Sequence, residues 1–110
     1  SINSLVTKEF FGEESGRNSA RALLIAAIES FSEKGFHATT TRDIARRAGM
    51  SPAALYVHFK SKQDLLYKLT VVTASAMVDD LRRAAESPGS PSDRLRSLVA
   101  SYVRCAARMH

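Results

Sequence analysis

Residues 40–59 of the chain read TTRDIARRAGMSPAALYVHF, and this pattern predicts two short helices joined by a tight turn. Thr40 suits the N-cap of the first helix, because Asp43 follows at the third helical position and can complete a capping box with it. Gly49 is the residue type that most readily ends such a helix. The first helix is therefore predicted over about residues 41–48.

A second helix is predicted directly after a turn formed by residues 49–51. Ser51 can cap this helix, and Pro52 fits its first position, where a missing N–H costs no hydrogen bond. Leu55 and Phe59 lie one turn apart and are predicted to face the core. Two short helices with this spacing are typical of a helix-turn-helix, whose second helix enters the major groove of DNA.

Longer helices are predicted on both sides of this pair. Upstream, a helix over about residues 18–34 has its apolar face at Leu24, Ala27, Ile28 and Phe31. Downstream, a helix that Ser61 caps reaches about residue 86, and its buried stripe is Leu65, Leu69, Val72 and Ala76. A fifth helix begins near Pro91, with its apolar face at Leu95, Leu98, Val99 and Tyr102. No stretch alternates with the period of a strand, so the fold is predicted to be all-α.

The charge of the chain is concentrated in its middle. The 110 residues carry 16 Lys and Arg against 11 Asp and Glu, a net charge of +5. Residues 17–68 alone hold nine basic and four acidic residues, whereas residues 1–16 are net acidic. Such a segment favours a polyanionic partner, with nucleic acid first and an anionic membrane surface second.

Several function classes are disfavoured. The single cysteine, Cys105, cannot form an intramolecular disulfide, which favours a reducing, cytoplasmic location. Its place in a helical pattern predicts a small buried residue. No apolar run is long enough to span a membrane. His37, His58 and His110 are far apart without ligand-spaced partners, so no metal or other cofactor is expected. No phosphate loop or nucleophile elbow occurs, and we expect no enzyme.

Five motifs within residues 31–66 resemble the N-terminal DNA-binding domain of TetR-family (tetracycline-repressor-like) transcriptional regulators. They are FxxxGF at 31–36, TTxxDIA at 39–45, AGMS at 48–51, LYxHF at 55–59 and KSKxxLL at 60–66. The resemblance implies a three-helix, homeodomain-like helix-turn-helix domain at residues 18–64. A long connecting helix and the first helix of a ligand-binding and dimerisation domain are expected at 65–110. Residues 1–17 are expected to form a flexible arm, since residues 12–16 show no apolar period.

The resemblance also implies DNA contacts at the start of the first short helix. Thr40 and Thr41 are expected to meet phosphates, and Arg42 to reach a base or a phosphate. This agrees with physical chemistry, because N–H groups and hydroxyls at a helix N-terminus attract anions and a guanidinium can pair with guanine O6 and N7. A role as N-cap alone would equally explain why a threonine occupies position 40.

The tip of the second short helix is expected to face the base edges. It consists of Ser51, Pro52, Ala53 and Ala54. Many relatives carry a long or hydrogen-bonding residue near positions 52–54, whereas Pro and Ala offer only apolar contacts, for example with thymine methyl groups.

Three further residues match family positions that hold the DNA backbone. Tyr56 and His58 lie beyond the tip on the same helix, and Lys62 lies at the start of the long helix that follows. Packing against the core is the alternative for Tyr56 and His58, and a solvated charge is the alternative for Lys62.

The helix-turn-helix pattern and the resemblance together indicate a sequence-specific transcriptional regulator, and the resemblance implies, more narrowly, a ligand-responsive repressor. The expected partners are a palindromic double-stranded DNA operator, a second copy of the chain and a small-molecule effector whose identity the sequence does not give. The alternative is a helical protein-interaction module whose basic surface docks an acidic partner or a membrane. Binding to duplex DNA distinguishes the two hypotheses.

Overall fold

The computed structural model describes residues 1–109, except for the side chains of Cys105, Arg108 and Met109. The buried position predicted for Cys105 thus lies outside the described side chains. The described chain contains six helices and no strand, which confirms the all-α prediction. They are α1 (Ile2–Phe11), α2 (Glu14–Lys34), α3 (Thr41–Arg47), α4 (Pro52–His58), α5 (Lys62–Ala85) and α6 (Pro91–Met109).

The predicted caps of the two short helices are confirmed. Thr40 Oγ1 accepts a hydrogen bond from the Asp43 N–H at 3.0 Å, and Asp43 Oδ2 accepts one from the Thr40 N–H at 3.1 Å. Ser51 Oγ accepts a hydrogen bond from the Ala54 N–H at 3.1 Å. Gly49 has a φ of 72°, a backbone conformation that glycine adopts without strain. These local interactions fix where α3 ends and α4 begins.

The core lies where α2, α3, α4 and α5 meet. Each of these helices contributes at least one large side chain that is almost completely buried: Leu23, Ile44, Leu55, Phe59 and Leu65. Phe59 directly follows α4 and brings an aromatic ring into this centre. The short helices are therefore held by their apolar sides against two long ones, which leaves their other sides to the solvent.

Two predicted core positions on α2 are corrected. Phe31 is only partly buried and packs at the edge of the core, with its ring centroid 5.4 Å from that of Phe36. Ile28 is exposed. The α2 stripe is instead centred on Leu23, Ala26 and Ala27, so it is rotated from the predicted face.

The flexible arm expected at residues 1–17 is wrong, because α1 and the start of α2 occupy this segment. The buried carboxylate of Asp79 on α5 accepts hydrogen bonds from the Asn3 N–H at 2.8 Å and the Ile2 N–H at 2.9 Å. At the other end of α1, Phe11 is buried in the core. These contacts dock α1 along α5.

The far end of the chain differs from the predicted packing. Helix α6 begins with a capping box, in which Ser90 Oγ accepts a hydrogen bond from the Asp93 N–H at 3.2 Å and Asp93 Oδ2 accepts one from the Ser90 N–H at 3.1 Å. Its predicted apolar face is largely exposed at Leu95, Val99 and Tyr102. Leu98, the fourth residue of that face, is partly buried. None of the described helices is long and apolar enough to cross a bilayer.

Candidate nucleic-acid interface

Helices α3 and α4 meet at the surface through a pair of hydroxyl groups. Thr41 Oγ1 and Tyr56 OH share a hydrogen bond of 3.0 Å between residues 15 positions apart. Tyr56 is 52% exposed, so its hydroxyl group remains open to solvent. The structure thus brings together two residues that were predicted to contact phosphates.

The start of α3 combines an open N-terminus with an unpaired cation. Thr40 and Arg42 are exposed, and the Arg42 guanidinium has no hydrogen-bond or ion-pair partner among residues 1–109. Capping and phosphate binding are compatible at Thr40, because a hydroxyl that accepts one hydrogen bond can still donate its own proton. Both explanations considered for Thr40 therefore fit this geometry.

A carboxylate also lies close to this surface. The Thr40 N–H and hydroxyl group hold the pKa of Asp43 below its usual range, and the positive charge of Lys34 acts in the same direction. The Lys34 ammonium lies 3.5 Å from Asp43 Oδ2. Because the carboxylate is occupied by the helix cap and by this cation, its repulsion of a nearby phosphate is reduced.

The tip of α4, which was expected to face base edges, is largely exposed to solvent. Ser51, Pro52 and Ala53 are exposed, and Ala54 is partly buried. The opposite side of α4 is sealed, since Leu55 and Phe59 are 0% and 1% exposed, which confirms their predicted inward direction.

Val57 is an exposed residue that the sequence reading missed. It is 77% exposed, the highest value among the large apolar side chains that the structure describes. It follows Ala53 by four positions and therefore lies on the same side of α4. The spacing of four positions is visible in the sequence. Val57 extends the apolar tip of α4 by one helical turn.

His58 has the packed position that was the alternative to DNA contact. Its ring centroid lies 6.1 Å from that of Phe11 and 6.2 Å from that of Phe59. Burial, helped by the nearby positive charge of Lys68, lowers the pKa of His58, so the imidazole is neutral near pH 7. Lys68 also donates a hydrogen bond to the His58 carbonyl oxygen at 3.1 Å. A DNA contact by His58 stays a prediction.

Lys62 has protein partners and is not the solvated charge considered from the sequence. Its Nζ donates hydrogen bonds to the carbonyl oxygens of Phe36 at 2.6 Å and His37 at 3.3 Å. It also lies 4.3 Å from the centroid of the Phe36 ring. The predicted phosphate contact by Lys62 stays a prediction.

Ion pairs on the other side of α3 tie it to α2. Arg47 pairs with Glu33 and lies 3.9 Å from Glu29. The hydrogen bond and charge of Arg47 lower the pKa of Glu33. Arg47 is therefore engaged within the protein, whereas Arg42 at the other end of the helix is free.

The described residues contain no group of three or more His, Cys, Asp and Glu side chains that could hold a metal ion. His110, one of the three histidines considered from the sequence, lies outside the described part of the chain.

Comparison with known proteins links this surface to a family of regulators. The profile described as "Bacterial regulatory proteins, tetR family" matches residues 23–69, which include α3 and α4. The chain is 38% identical over 80 residues to the HTH-type transcriptional activator FasR of Mycolicibacterium smegmatis, covering 73% of the chain and 36% of the relative. It is 38% identical over 94 residues to the HTH-type transcriptional repressor KstR2 of Mycobacterium tuberculosis, covering 84% of the chain and 47% of the relative.

A third relative is the HTH-type transcriptional regulator AcrR of Shigella flexneri, which is 30% identical over 88 residues, covering 79% of the chain and 41% of the relative. The chain thus spans less than half the length of these relatives. All three are named as transcriptional regulators and none as an enzyme, in agreement with the prediction that the chain is not an enzyme. No solved structure matches the chain at a significant level.

Proposed function

The chain belongs to the tetR family of bacterial regulatory proteins, and from this premise we propose that it binds double-stranded DNA sequence-specifically through α3 and α4 and thereby regulates transcription. The observation that carries the proposal is the one-sided burial of α4. Leu55 and Phe59 anchor this helix in the core, while the tip residues and Tyr56 face the solvent. A helix held in this way can enter a major groove without losing its own packing.

The interface divides into backbone and base contacts. Thr40, Thr41 and Tyr56 supply hydroxyl groups, and the N-terminus of α3 supplies N–H groups, all suited to phosphate oxygens. The tip of α4 meets the base edges through Ser51, Pro52, Ala53 and Ala54. Arg42 has a free guanidinium that reaches either a guanine or a phosphate.

The whole protein is proposed to act as a dimer on a palindromic operator, with its two recognition helices about 34 to 36 Å apart, one turn of DNA. A small-molecule effector would control the affinity for this operator, and the single cysteine suits action in the cytoplasm. The relatives include an activator and a repressor. We propose repression for this protein, because a bound domain by itself can block access to a promoter.

Selection from a pool of random duplexes tests the proposal. The chain is incubated with the pool at near-physiological salt, and the retained duplexes are sequenced. We expect enrichment of one sequence, with a palindrome indicating two bound copies and a half-site indicating one. Uniform recovery of duplexes by folded protein would contradict the proposal and favour a protein-interaction module with a basic surface.

A variant with glutamate in place of Ala53 provides the control for this selection. A negative charge at the tip of α4 repels DNA but lies on the solvent side, so it leaves the core intact. We expect Ala53→Glu to abolish the enrichment while the circular dichroism spectrum stays that of the wild type. Retained enrichment would show that another surface binds the DNA.

A further inference from the structure

Lys62 links α5 to the loop that precedes the proposed DNA-binding surface. This loop, residues 35–40, joins the end of α2 to the N-cap of α3. Although it lies 25 and 26 positions away in sequence, Lys62 binds the carbonyl oxygens of His37 and Phe36 and places its ammonium over the Phe36 ring. Two of its three N–H donors are therefore engaged within the protein.

The loop is anchored on its other side by Thr39. This residue is almost completely buried, and its hydroxyl oxygen lies 2.8 Å from the Gly35 carbonyl oxygen and 3.1 Å from that of Ser30, to which it can donate. Thr39 thus holds the loop to α2, and Lys62 holds it to α5. Of the hydrogen bonds that the structure describes, those of Lys62 are the ones that join α5 to this loop.

The position of the loop fixes the start of α3. Thr40 ends the loop and is also the N-cap of α3, and Thr41 and Arg42 follow directly. A shift of Phe36 or His37 would therefore move the hydroxyl groups and the guanidinium proposed to meet the DNA. Charge-assisted hydrogen bonds and a cation over an aromatic ring are strong enough to resist such a shift.

We propose that Lys62 is a positioning residue for DNA binding, which holds the loop of residues 35–40 so that the N-terminus of α3 faces the DNA backbone. This inference rests on the proposed function. It differs from a direct phosphate contact, because the ammonium acts through the loop. Lys60 is a matched comparison, since it carries the same charge two positions away and its ammonium forms no hydrogen bond or ion pair with the described residues, although its charge helps to lower the pKa of Asp64.

The first test is amide hydrogen exchange of the free protein in three forms: wild type, Lys62→Met and Lys60→Met. Methionine keeps the apolar stem and removes the charge. We expect Lys62→Met to speed exchange of amides in residues 36–42 roughly tenfold, as loss of a charge-assisted bond would, with Lys60→Met unchanged. Unchanged exchange in Lys62→Met would overturn the proposal whether or not the protein binds DNA.

The second test is a double-mutant cycle in DNA affinity, using the duplex enriched by the wild type at a temperature where all variants are folded. Phe36→Leu removes the ring but no charge, so a phosphate contact by Lys62 predicts that it leaves affinity unchanged. We expect Phe36→Leu and Lys62→Met each to weaken binding, and their combination to weaken it no more than the larger single effect. If Lys62→Met fails to fold, the DNA affinity of Phe36→Leu alone decides between the positioning role and a direct phosphate contact.

Three results would overturn the positioning role: additive losses in the cycle, no loss in Phe36→Leu, or equal losses in Lys60→Met and Lys62→Met. If Lys62 contributed only to stability, Lys62→Met would lower the melting temperature and leave the DNA affinity of the folded protein unchanged. That result would also contradict the positioning role. Absence of any preferred duplex for the wild type would be a failure of the proposed function itself, and the exchange experiment separates that failure from one of the Lys62 contacts.

Discussion

Thr41 Oγ1 on α3 and Tyr56 OH on α4 lie 3.0 Å apart and share a hydrogen bond at the surface of the protein. The bond orients both hydroxyl groups before any DNA arrives. A group that is already oriented loses less conformational freedom on binding, and this favours a tight complex. The two short helices therefore present one joined polar edge, next to the apolar tip of α4.

Replacing Tyr56 by phenylalanine should weaken DNA binding without unfolding the domain. The change removes one hydroxyl group from an exposed residue, and a hydrogen bond contributes about 0.5 to 1.5 kcal/mol. We expect the affinity for all duplexes to fall alike, by roughly two- to tenfold, as measured by fluorescence anisotropy. Tyr67→Phe on α5, another exposed tyrosine, is the control and should bind as the wild type does.

Replacing Ala53 by glutamine should change which bases are preferred. A glutamine amide can make two hydrogen bonds to adenine in the major groove, whereas alanine makes only apolar contacts. We expect the enriched sequence to change at one or two positions and the original duplex to bind more weakly. The control is Ala74→Gln at an exposed site on α5. An unchanged base preference would mean that α4 does not read the bases.

Phe59 should contribute far more to stability than Phe31. Phe59 is 1% exposed at the centre of the core, and truncation of a buried phenylalanine costs about 3 to 5 kcal/mol. Phe31 lies at the core edge, where the neighbouring side chains can adjust, so Phe31→Ala should cost clearly less. Urea unfolding of both variants measures the difference. Equal costs would contradict a central position for Phe59 and an edge position for Phe31.

Asp79 should make the stability of the domain depend on pH in the acid range. Hydrogen bonds from the backbone N–H groups of Asn3 and Ile2 hold its pKa below the usual value. Its contribution is therefore complete above an ordinary aspartate pKa of about 3.9, and it is lost as the pH falls through the lower pKa of the folded state.

The variant Asp79→Asn tests this dependence through melting temperatures between pH 7 and pH 2. We expect a lower melting temperature than the wild type at pH 7 and a gap that closes in acid. Glu86→Gln, which removes an exposed carboxylate at the end of the same helix, should show no such gap. A gap that persists at the lowest pH would mean that the carboxylate charge is not what binds α1.

The helix-turn-helix could be predicted from the sequence because its boundaries depend on neighbouring residues. The capping box of Thr40 and Asp43, the cap of Ser51 and the Gly49 turn all act within three or four positions of the chain. These local interactions form in any fold that contains both helices, so the helix boundaries in the structure agree closely with the predicted ones.

Helix α1 and the partners of Lys62 could not be predicted in the same way. Ile2, Val6 and Phe10 follow a helical spacing, yet the contacts that dock the helix are with distant residues such as Asp79, 77 positions from Ile2. Likewise, the carbonyl groups that bind Lys62 belong to a loop 25 or more positions away. Contacts at such separations depend on the whole fold and leave no local pattern in the sequence.

The most direct test of DNA recognition by α3 and α4 is a titration of the chain with two duplexes at the same salt concentration. One duplex is the sequence that the selection enriches, and in the other two of its preferred base pairs are exchanged. Because each wrong base pair costs about 1 to 3 kcal/mol, we expect the altered duplex to bind at least about thirtyfold more weakly. Equal affinities for the two duplexes would contradict sequence-specific binding.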